Sequence, residues 1–248
     1  MYNVIPNLDE AGCLGIVYDG VNLSEIFEVH DIAIPMLPAM EAVTQEMAGR
    51  PGAYYHSRKV KTREIVMKLG LNAQSRCPID IFHAWREHSG ILAKKEPKKL
   101  QLKEDAYVMA MLTGETGIEN LGYRGVAVLH FTCFDPFFYG EEHTVQLSSG
   151  SNAVKVRGGV ATFPVFQVSG VTGAFTLTNA DTGKKVKVAG LTSSTVLRID
   201  MANYRCTVNG NYKAADITVT DFWPIEPGTA NLTLSGGSGT MTYRERFL

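Results

Sequence analysis

Alternation of apolar and polar residues predicts β-strands in the first half of the chain. In residues 64–71 every second position, beginning at Ile65, carries a large apolar side chain, which is the period of a strand with one buried face. In residues 123–133 both alternating sets are mainly apolar, which is typical of an inner strand. Residues 106–112 predict another strand, and the lysine-rich residues 93–103 before it are expected to form a solvated turn.

Residues 78–89 have the spacing of a helix. Pro78 suits the first helical position, Asp80 complements the helix dipole, and Gly90 supplies the stop. The residues that recur every three positions and form its apolar stripe are Ile79, Phe82 and Trp85.

After about residue 140 the chain becomes rich in Gly, Thr, Ser and Val, and short strand signals follow one another. The clearest is a hairpin in which Phe175 and Leu177 face Val186 and Val188 across a turn at residues 179–183. We expect further strands at residues 163–168, 196–199, 205–208, 217–219, 230–234 and 240–244, with a hairpin turn at the glycines of residues 236–239. Seven or eight such strands without a helix signal predict a β-sandwich of jelly-roll or immunoglobulin-like build.

The composition change divides the chain into two domains. We place the boundary between Tyr139 and Ser151, which gives a first domain over residues 1–145 and a second over residues 146–248. The expected fold class is therefore mainly β, a β-rich α+β chain whose first domain carries one helix.

Residues 32–58 fit neither period, although they contain many large apolar side chains. A polar loop does not carry so many, so we interpret this segment as a projecting arm whose apolar residues are covered by another part of an assembly. The alternative is that the segment folds back on its own core. The residues expected at the oligomer interface are Met36, Leu37, Met40, Met47, Arg50, Tyr54 and Tyr55.

Charge and cysteine usage exclude several classes of protein. The 248 residues include 24 basic and 25 acidic side chains, so the net charge of −1 argues against a surface built to bind nucleic acid or an anionic membrane. The four cysteines lie far apart without a zinc-ligand spacing, which favours free thiols in a reducing compartment. Neither a signal peptide nor a transmembrane segment is evident, and we expect the protein to be made in the cytosol.

No pattern of catalytic residues stands out. His83 and His88 are five residues apart on the predicted helix and face differently, while His30 and His143 lie beside carboxylates on extended chain, where neighbours point in opposite directions. The GxSxG, HExxH, GxxxxGK[ST] and GxGxxG motifs are absent. An enzyme would need a carboxylate pair, and the candidates, Asp181, Asp200, Asp216 and Asp221, all fall at strand ends or turns.

Aromatic residues in the second domain offer one binding hypothesis. Tyr204, Tyr212 and Trp223, with Phe222 beside them, are candidates for a platform that contacts a sugar ring. The structural alternative is that these aromatics fill the core or cover its edge.

Several segments together resemble the distal tail protein (Dit) family of siphophages that infect Gram-positive bacteria. In the first half they are GIVYDGVNLSEIF, AGRPGAYY, IFHAWREHSGIL, EPKKL, the strand with Tyr107 and Ala110, and VLHFTCFDPFFYG, whose Phe131, Cys133, Asp135, Pro136, Tyr139 and Gly140 match the family near its domain boundary. In the second half they are FPVFQVSG, FTLTNADTGKKVKVAGL, TVLRIDM and IEPGTANLTLSGGSGTMTYRERFL. Each piece is a strand or a turn, and their order along the chain carries the resemblance.

The resemblance implies a structural protein of the phage virion, assembled in the host cytoplasm, without catalysis or a cofactor. Its first domain would form a hexameric ring, single or as two stacked rings, that joins the tail tube to the tip, and its second would be a galectin-like sandwich. The implied partners are the major tail protein of the tube, the tail-associated tip protein, the tape measure protein and receptor-binding proteins. The arm would reach a neighbouring subunit and close the ring. A carbohydrate-binding adhesin of the tail remains the alternative function.

Overall fold

The computed structural model describes residues 15–71, 77–103, 106–119, 125–212 and 217–248, and their strands fall into two units. Unit 1 comprises Met1–Phe138 with Leu248, and unit 2 comprises Tyr139–Phe247. The boundary expected from the sequence, at residue 145, lies inside the long strand β11, Phe138–Val156.

Unit 1 holds ten strands and one α-helix among its described residues. The strands are β1 (Val17–Tyr18), β2 (Val21–Asn22), β3 (Phe27–Ala33), β4 (Met40–Glu46), β5 (Ala53–Val60), β6 (Arg63–Leu71), β7 (Lys98–Lys103), β8 (Ala106–Leu112), β9 (Ile118–Glu119) and β10 (Val126–Cys133). The helix is α1 (Pro78–Leu92), and a short 3-10 turn covers Leu23–Glu25.

The strands β6 and β10 form the centre of unit 1. The strand β10 pairs antiparallel with β6 on one side and with β8 and β9 on the other, which confirms the inner strand predicted from its two apolar faces. The alternation predicted for β6 is also confirmed, because Ile65, Met67 and Leu69 are all fully buried. Residues 123 and 124 of the predicted strand lie outside the described residues.

The helix is confirmed, but its predicted apolar stripe is wrong. The buried face is formed by Ile81, Trp85 and Leu92, whereas Ile79 and Phe82 are 65% and 52% exposed. The Trp85 indole N–H donates to the Gly125 carbonyl at 2.9 Å, and the Trp85 ring stacks on that of Phe27 with centroids 4.9 Å apart. These contacts set the rotation of the helix against the sheet. The predicted stop at Gly90 is also wrong, since the helix continues to Leu92.

A strand lies where the sequence predicted a solvated turn. The strand β7 pairs with β1 and β8, and its Leu100 is fully buried. The lysines on either side of Leu100 made this segment resemble a solvated turn in the sequence. A strand with only one buried face tolerates such charged residues on its other face.

Unit 2 contains strands but no helix among its described residues, and it surrounds one apolar core. After β11 its strands are β12 (Val165–Ser169), β13 (Gly173–Asn179), β14 (Lys185–Leu191), β15 (Leu197–Asp200), β16 (Arg205–Val208), β17 (Asn211–Tyr212), β18 (Ile217–Thr220) and β19 (Gly228–Phe247). The predicted hairpin is confirmed: Phe175 pairs with Val188 and Leu177 with Val186, and all four side chains are fully buried.

The predicted turn at residues 236–239 is wrong, because β19 continues through it as one strand. The first part of β19 pairs with β13, where Leu234 lies opposite Leu177, and the later part pairs with β12, where Ser238 lies opposite Ser169. A Cβ atom at Gly237 or Gly239 would collide with the carbonyl oxygen of Ser169 or Gln167. The glycines therefore permit a close backbone approach where a long strand changes partner.

Candidate assembly surfaces

The segment predicted as an arm is a β-hairpin. The strands β4 and β5 pair antiparallel from Met40 opposite Val60 to Glu46 opposite Ala53, with a bulge between Val43 and Thr44. They form a two-stranded sheet of their own, and no other strand of the described residues joins it. Residues 32 and 33 of the predicted arm instead end β3 and pair with β6, and the hairpin continues past residue 58 to Val60. We therefore call residues 34–62 the arm. Neither face of such a ribbon is covered by a second layer, which explains why its sequence shows no alternation.

The arm exposes most of the apolar side chains expected at the interface. Met36 is 89% exposed, Tyr55 65%, Met47 54%, Leu37 49% and Tyr54 42%. Met40 is half-buried. No residue of the arm belongs to the buried core of unit 1, so the alternative that this segment folds back on the core is not what the structure shows.

Arg50 lies in the turn at the tip of the arm. Its guanidinium is 4.6 Å from the centroid of the Tyr54 ring, and its backbone N–H donates to the Met47 carbonyl at 3.2 Å. The tip is thus a small exposed cluster of one cation and apolar groups, which is the mixed chemistry common at the centre of protein interfaces.

Two contacts close the other end of the hairpin. The Lys61 backbone N–H donates to the Ala39 carbonyl at 2.8 Å. The Lys61 ammonium pairs with the Glu41 carboxylate, and this hydrogen bond holds the pKa of Glu41 below its ordinary value. Both side chains are solvated, so this ion pair contributes little to stability.

A buried arginine lies directly after the arm. Arg63, the first residue of β6, is only 1% exposed. Its Nη1 donates to the Pro35 carbonyl at 2.6 Å and its Nε to the Pro136 carbonyl at 3.0 Å, while the guanidinium lies 4.6 Å from the centroid of the Phe138 ring. The burial of Arg63 could not be predicted from the sequence, since arginine is almost never fully buried.

Unit 2 presents a second exposed aromatic region. Tyr204 and Tyr212 are 64% and 54% exposed, and the Arg205 guanidinium lies 5.5 Å from the centroid of the Tyr212 ring. The Tyr204 ring meets that of Phe222 edge-on, with centroids 5.7 Å apart. Tyr204 has a positive φ of 52°, which is uncommon for a residue with a side chain.

The structure contradicts the sugar-binding role predicted for the third aromatic residue, Trp223. Trp223 is 1% exposed and belongs to the apolar core of unit 2. An indole ring that is packed on all sides cannot stack on a saccharide. Trp223 therefore fills the core, which is the structural alternative given above.

The carboxylates considered for catalysis are occupied locally. Asp181 accepts hydrogen bonds from the backbone and side-chain nitrogens of Asn231 at 2.8 and 2.7 Å, and these bonds lower the pKa of Asp181. Asp200 accepts from the backbone of Ala202 and Asn203 within its own turn, and Asp221 accepts from the Lys185 N–H. Asp216 lies outside the described residues.

Other reactive groups are similarly engaged or buried. Burial raises the pKa values of the Cys133 and Cys206 thiols to about 11, which keeps both protonated near neutral pH. His130 hydrogen-bonds Glu64 at 2.6 Å and His143 hydrogen-bonds Glu245 at 2.8 Å. Within the described ranges, no group of three or more His, Cys, Asp or Glu side chains is arranged to hold a metal ion.

The part of the chain that the structure describes contains no helix with the length and apolar character needed to cross a bilayer.

Comparisons with known proteins place two family domains along the chain. A phage tail protein RIFT-related domain matches residues 20–133, and the C-terminal domain of a siphovirus-type tail component matches residues 157–247. The distal tail protein of Bacillus phage SPP1 is 25% identical over 261 residues, an alignment that covers 99% of this chain and 100% of that protein.

One solved structure supports the fold. The crystal structure of SPP1 Dit, described as a paradigm of the hub adsorption apparatus in phages that infect Gram-positive bacteria, superposes with a TM-score of 0.84 at 18% identity. That match covers 95% of this chain and 100% of the SPP1 protein. A chain of the phage P2 baseplate in its activated conformation with calcium matches with a TM-score of 0.45 at 10% identity, covering 96% of this chain and 95% of that one.

Proposed function

Because this chain belongs to the siphophage distal tail protein family and is a structural component of a phage tail, we propose that its copies close into a hexameric ring. The ring joins the tail tube to the tip and serves as a docking hub. The protein acts by assembly, without catalysis or a cofactor. It is assembled in the host cytoplasm and resides at the tip of the virion tail.

The observation that carries this proposal is the arm. Six of its large apolar or aromatic side chains, Ile34 at 43% among them, are exposed on a ribbon that no core of its own unit covers. Exposed apolar groups concentrated in one segment mark an interaction site, and a second copy of the chain can supply the cover. When each arm reaches the next copy in the same direction, the contacts are heterologous and close into a ring.

The ring gives each unit a place in the tail. Unit 1, which carries the arm, forms the ring wall and meets the major tail protein of the tube on one side and the tail-associated tip protein on the other. The tape measure protein passes close to the bore. Unit 2 is the docking site for receptor-binding proteins. Two rings stacked on each other are a second assembly compatible with the same contacts.

Removing the arm tests the proposal. We expect the full chain to form particles of about six or twelve copies with a central hole, measured by light scattering and negative-stain microscopy. Deletion of residues 36–54 should leave both units folded but give a monomer or a polydisperse species. The matched control is Tyr212→Ser, which removes a side chain of similar exposure from unit 2 and should leave the ring intact. A ring that survives the deletion contradicts the role given to the arm.

A carbohydrate-binding adhesin is the second candidate, favoured by the exposed Tyr204 and Tyr212 beside Arg205. Aromatic faces next to a cation are suited to sugar rings, and the positive φ of Tyr204 holds its ring outward at a conformational cost. If this function holds, the double variant Tyr204→Ala, Tyr212→Ala loses binding on an array of host wall glycans. The control Val196→Ala changes an exposed side chain elsewhere in unit 2 and should retain the binding. An array on which the unmodified protein binds no glycan eliminates this candidate.

A further inference from the structure

Arg63 is the one fully buried charged side chain among the described residues, and the proposed function does not yet account for it. It follows the arm in sequence and begins β6, where it lies opposite Cys133 of β10. Burial lowers the pKa of Arg63 because the charged form loses its hydration. No carboxylate of the described residues forms an ion pair with it, and its Nη2 has no hydrogen-bond partner.

The two carbonyl groups that Arg63 binds belong to separate segments. Pro35 lies in the segment by which the chain leaves β3 and enters the arm, so its carbonyl marks the outgoing root of the arm. Pro136 lies in the segment after β10, and the Phe138 ring two residues later packs on the guanidinium. Since Arg63 itself is the incoming root, one side chain ties both ends of the arm to the body of unit 1.

Only arginine supplies this set of contacts. Its planar guanidinium carries five N–H groups in a fixed fork and also packs flat against an aromatic ring. A lysine ammonium is a point donor on a flexible stem, and a methionine fills the volume without donating at all. Both accepting residues are prolines, whose rings fix φ and so reduce the number of backbone conformations at each accepting site.

We propose that Arg63 is a positioning residue that fixes the direction in which the arm leaves unit 1. Burying a charge without an ionic partner is unfavourable. The compensating gain is that the arm already projects in one direction, so less conformational entropy is lost when it binds the next copy. The value of a fixed direction rests on the proposed ring, but the direction itself is a property of a single chain and is measured there.

Pulsed electron resonance between two spin labels tests this role. One label lies at the arm tip and the other on the exposed loop after α1. The parent chain for all variants, called the background, lacks Cys13 and Cys77, keeps the buried Cys133 and Cys206, and lacks two side chains by which a neighbouring copy could hold the arm. Its substitutions are Ala48→Cys and Lys95→Cys for the labels, Cys13→Ser and Cys77→Ser, and Met36→Ser and Tyr55→Ser. Mass spectrometry must find two labels per chain in every variant, since Cys133 lies opposite Arg63.

In this background we expect a single narrow distance distribution. Arg63→Met should broaden it about twofold, since the arm then samples several directions. Arg63→Lys keeps the charge but not the fork and should also broaden it, which preserves the test if the methionine variant fails to fold. The control Leu129→Val removes a buried methyl group of β10, away from the arm root, and should lower the melting temperature without broadening.

Two results overturn the proposal. One is an Arg63→Lys or Arg63→Met distribution as narrow as that of the background, which shows that the arm is positioned without the guanidinium. The other is equal broadening in Leu129→Val, which shows that the width follows stability alone. If no ring forms in the assembly experiment, the distance distributions of the single chain can still be measured and interpreted. The two proposals are therefore tested separately.

Discussion

The chain contains two hairpins of similar length that are used in opposite ways. In β13 and β14 the apolar side chains alternate with polar ones, and Phe175, Leu177, Val186 and Val188 are all fully buried. In the arm, β4 and β5 pair over a somewhat longer stretch, but Met36 beside them and Tyr55 within them are mostly exposed. The first hairpin stabilises its own unit, whereas the second carries apolar surface that its own unit does not cover.

This difference shows that backbone pairing and side-chain burial are separate problems. Both hairpins form the hydrogen bonds between their two strands, but only the hairpin in unit 2 gains free energy by removing apolar surface from water. An isolated two-stranded ribbon is marginal in water, so we expect the arm to depend on contacts at its root and on the second copy of the chain proposed above. Substitutions in the two hairpins should therefore change different observables.

The largest effect on stability is expected in the buried hairpin. Phe175→Ala removes a fully buried ring and should cost about 3–5 kcal/mol of unfolding free energy. Denaturant titration measures the loss through tryptophan fluorescence, to which Trp85 contributes from unit 1 and Trp223 from unit 2. The equivalent arm variant, Tyr54→Ala, should stay within about 0.5 kcal/mol because its side chain is already partly in water. Equal losses from the two variants would mean that the arm is packed against its own unit.

Replacing a glycine should also cost more stability in unit 2 than in the arm, but the difference should be smaller than that between Phe175→Ala and Tyr54→Ala. Gly239→Ala places a methyl group against the Gln167 carbonyl and should cost about 2–3 kcal/mol, since the backbone of β12 must shift. Gly52→Ala in the arm turn meets no neighbouring atom and is strained only by its φ of 85°, at a cost of about 1 kcal/mol. Thermal unfolding of both variants measures the difference in stability. A larger loss for Gly52→Ala would contradict the view that the close backbone approach at Gly239 matters more than the turn conformation at Gly52.

Outer arm residues should affect assembly with almost no effect on folding. We expect the double variant Met36→Ser, Tyr55→Ser to unfold within about 0.5 kcal/mol of the unmodified chain, because both side chains are exposed. Its native mass should nevertheless fall from that of a ring to that of a monomer. Light scattering at high protein concentration measures the mass, and a melting curve at a dilution at which both proteins are monomeric measures the stability without the contribution of assembly. A destabilised variant, or one that keeps the ring, contradicts the separation of folding from assembly.

The smallest effect is expected at the solvated ion pair of the arm root. The pKa of Glu41 is lowered by Lys61, so any stabilisation is present above the ordinary glutamate pKa and is lost as the pH falls through the lowered value. Glu41→Gln should therefore melt close to the unmodified chain at neutral pH, and any difference should vanish in acid. A difference that grows on acidification would reverse the sign of this interaction.

Alternation could be read from the sequence wherever one face of a strand is buried. The register of β13 and β14 followed from four apolar residues and a turn, because a shift by one residue would place all of them on the solvent side. The strands β6 and β10 could be predicted from the sequence in the same way. The long strand β19 was not, because its glycines are typical of turns and here serve a close backbone approach.

The helix shows a different limit. Trp85 belongs to the stripe with Ile79 and Phe82 and also to the stripe with Ile81 and Leu92, so spacing alone does not select the buried one. The choice depends on Gly125, whose lack of a side chain admits Ile81 and whose carbonyl accepts the Trp85 N–H. That partner is distant in sequence and leaves no local signal.

The candidate surfaces were predictable in composition but not in form. An excess of Met, Leu and Tyr without a period indicated an arm, since a segment packed on the core of its own chain would have shown a period. The hairpin itself left no signal, because its own chain covers neither of its faces. Arg63 was missed for the opposite reason: a charged residue at the start of a strand is expected in solvent, and only the carbonyls of Pro35 and Pro136 explain its burial.

The central claim is that the arm is covered by a second copy of the chain, and photo-cross-linking tests it most directly. A benzophenone side chain placed at Tyr55 is activated in a sample mixed from isotopically light and heavy chains, and the linked peptides are identified by mass spectrometry. We expect light-to-heavy links from the arm to unit 1 of another copy. Links confined to peptides of the same chain would contradict the account.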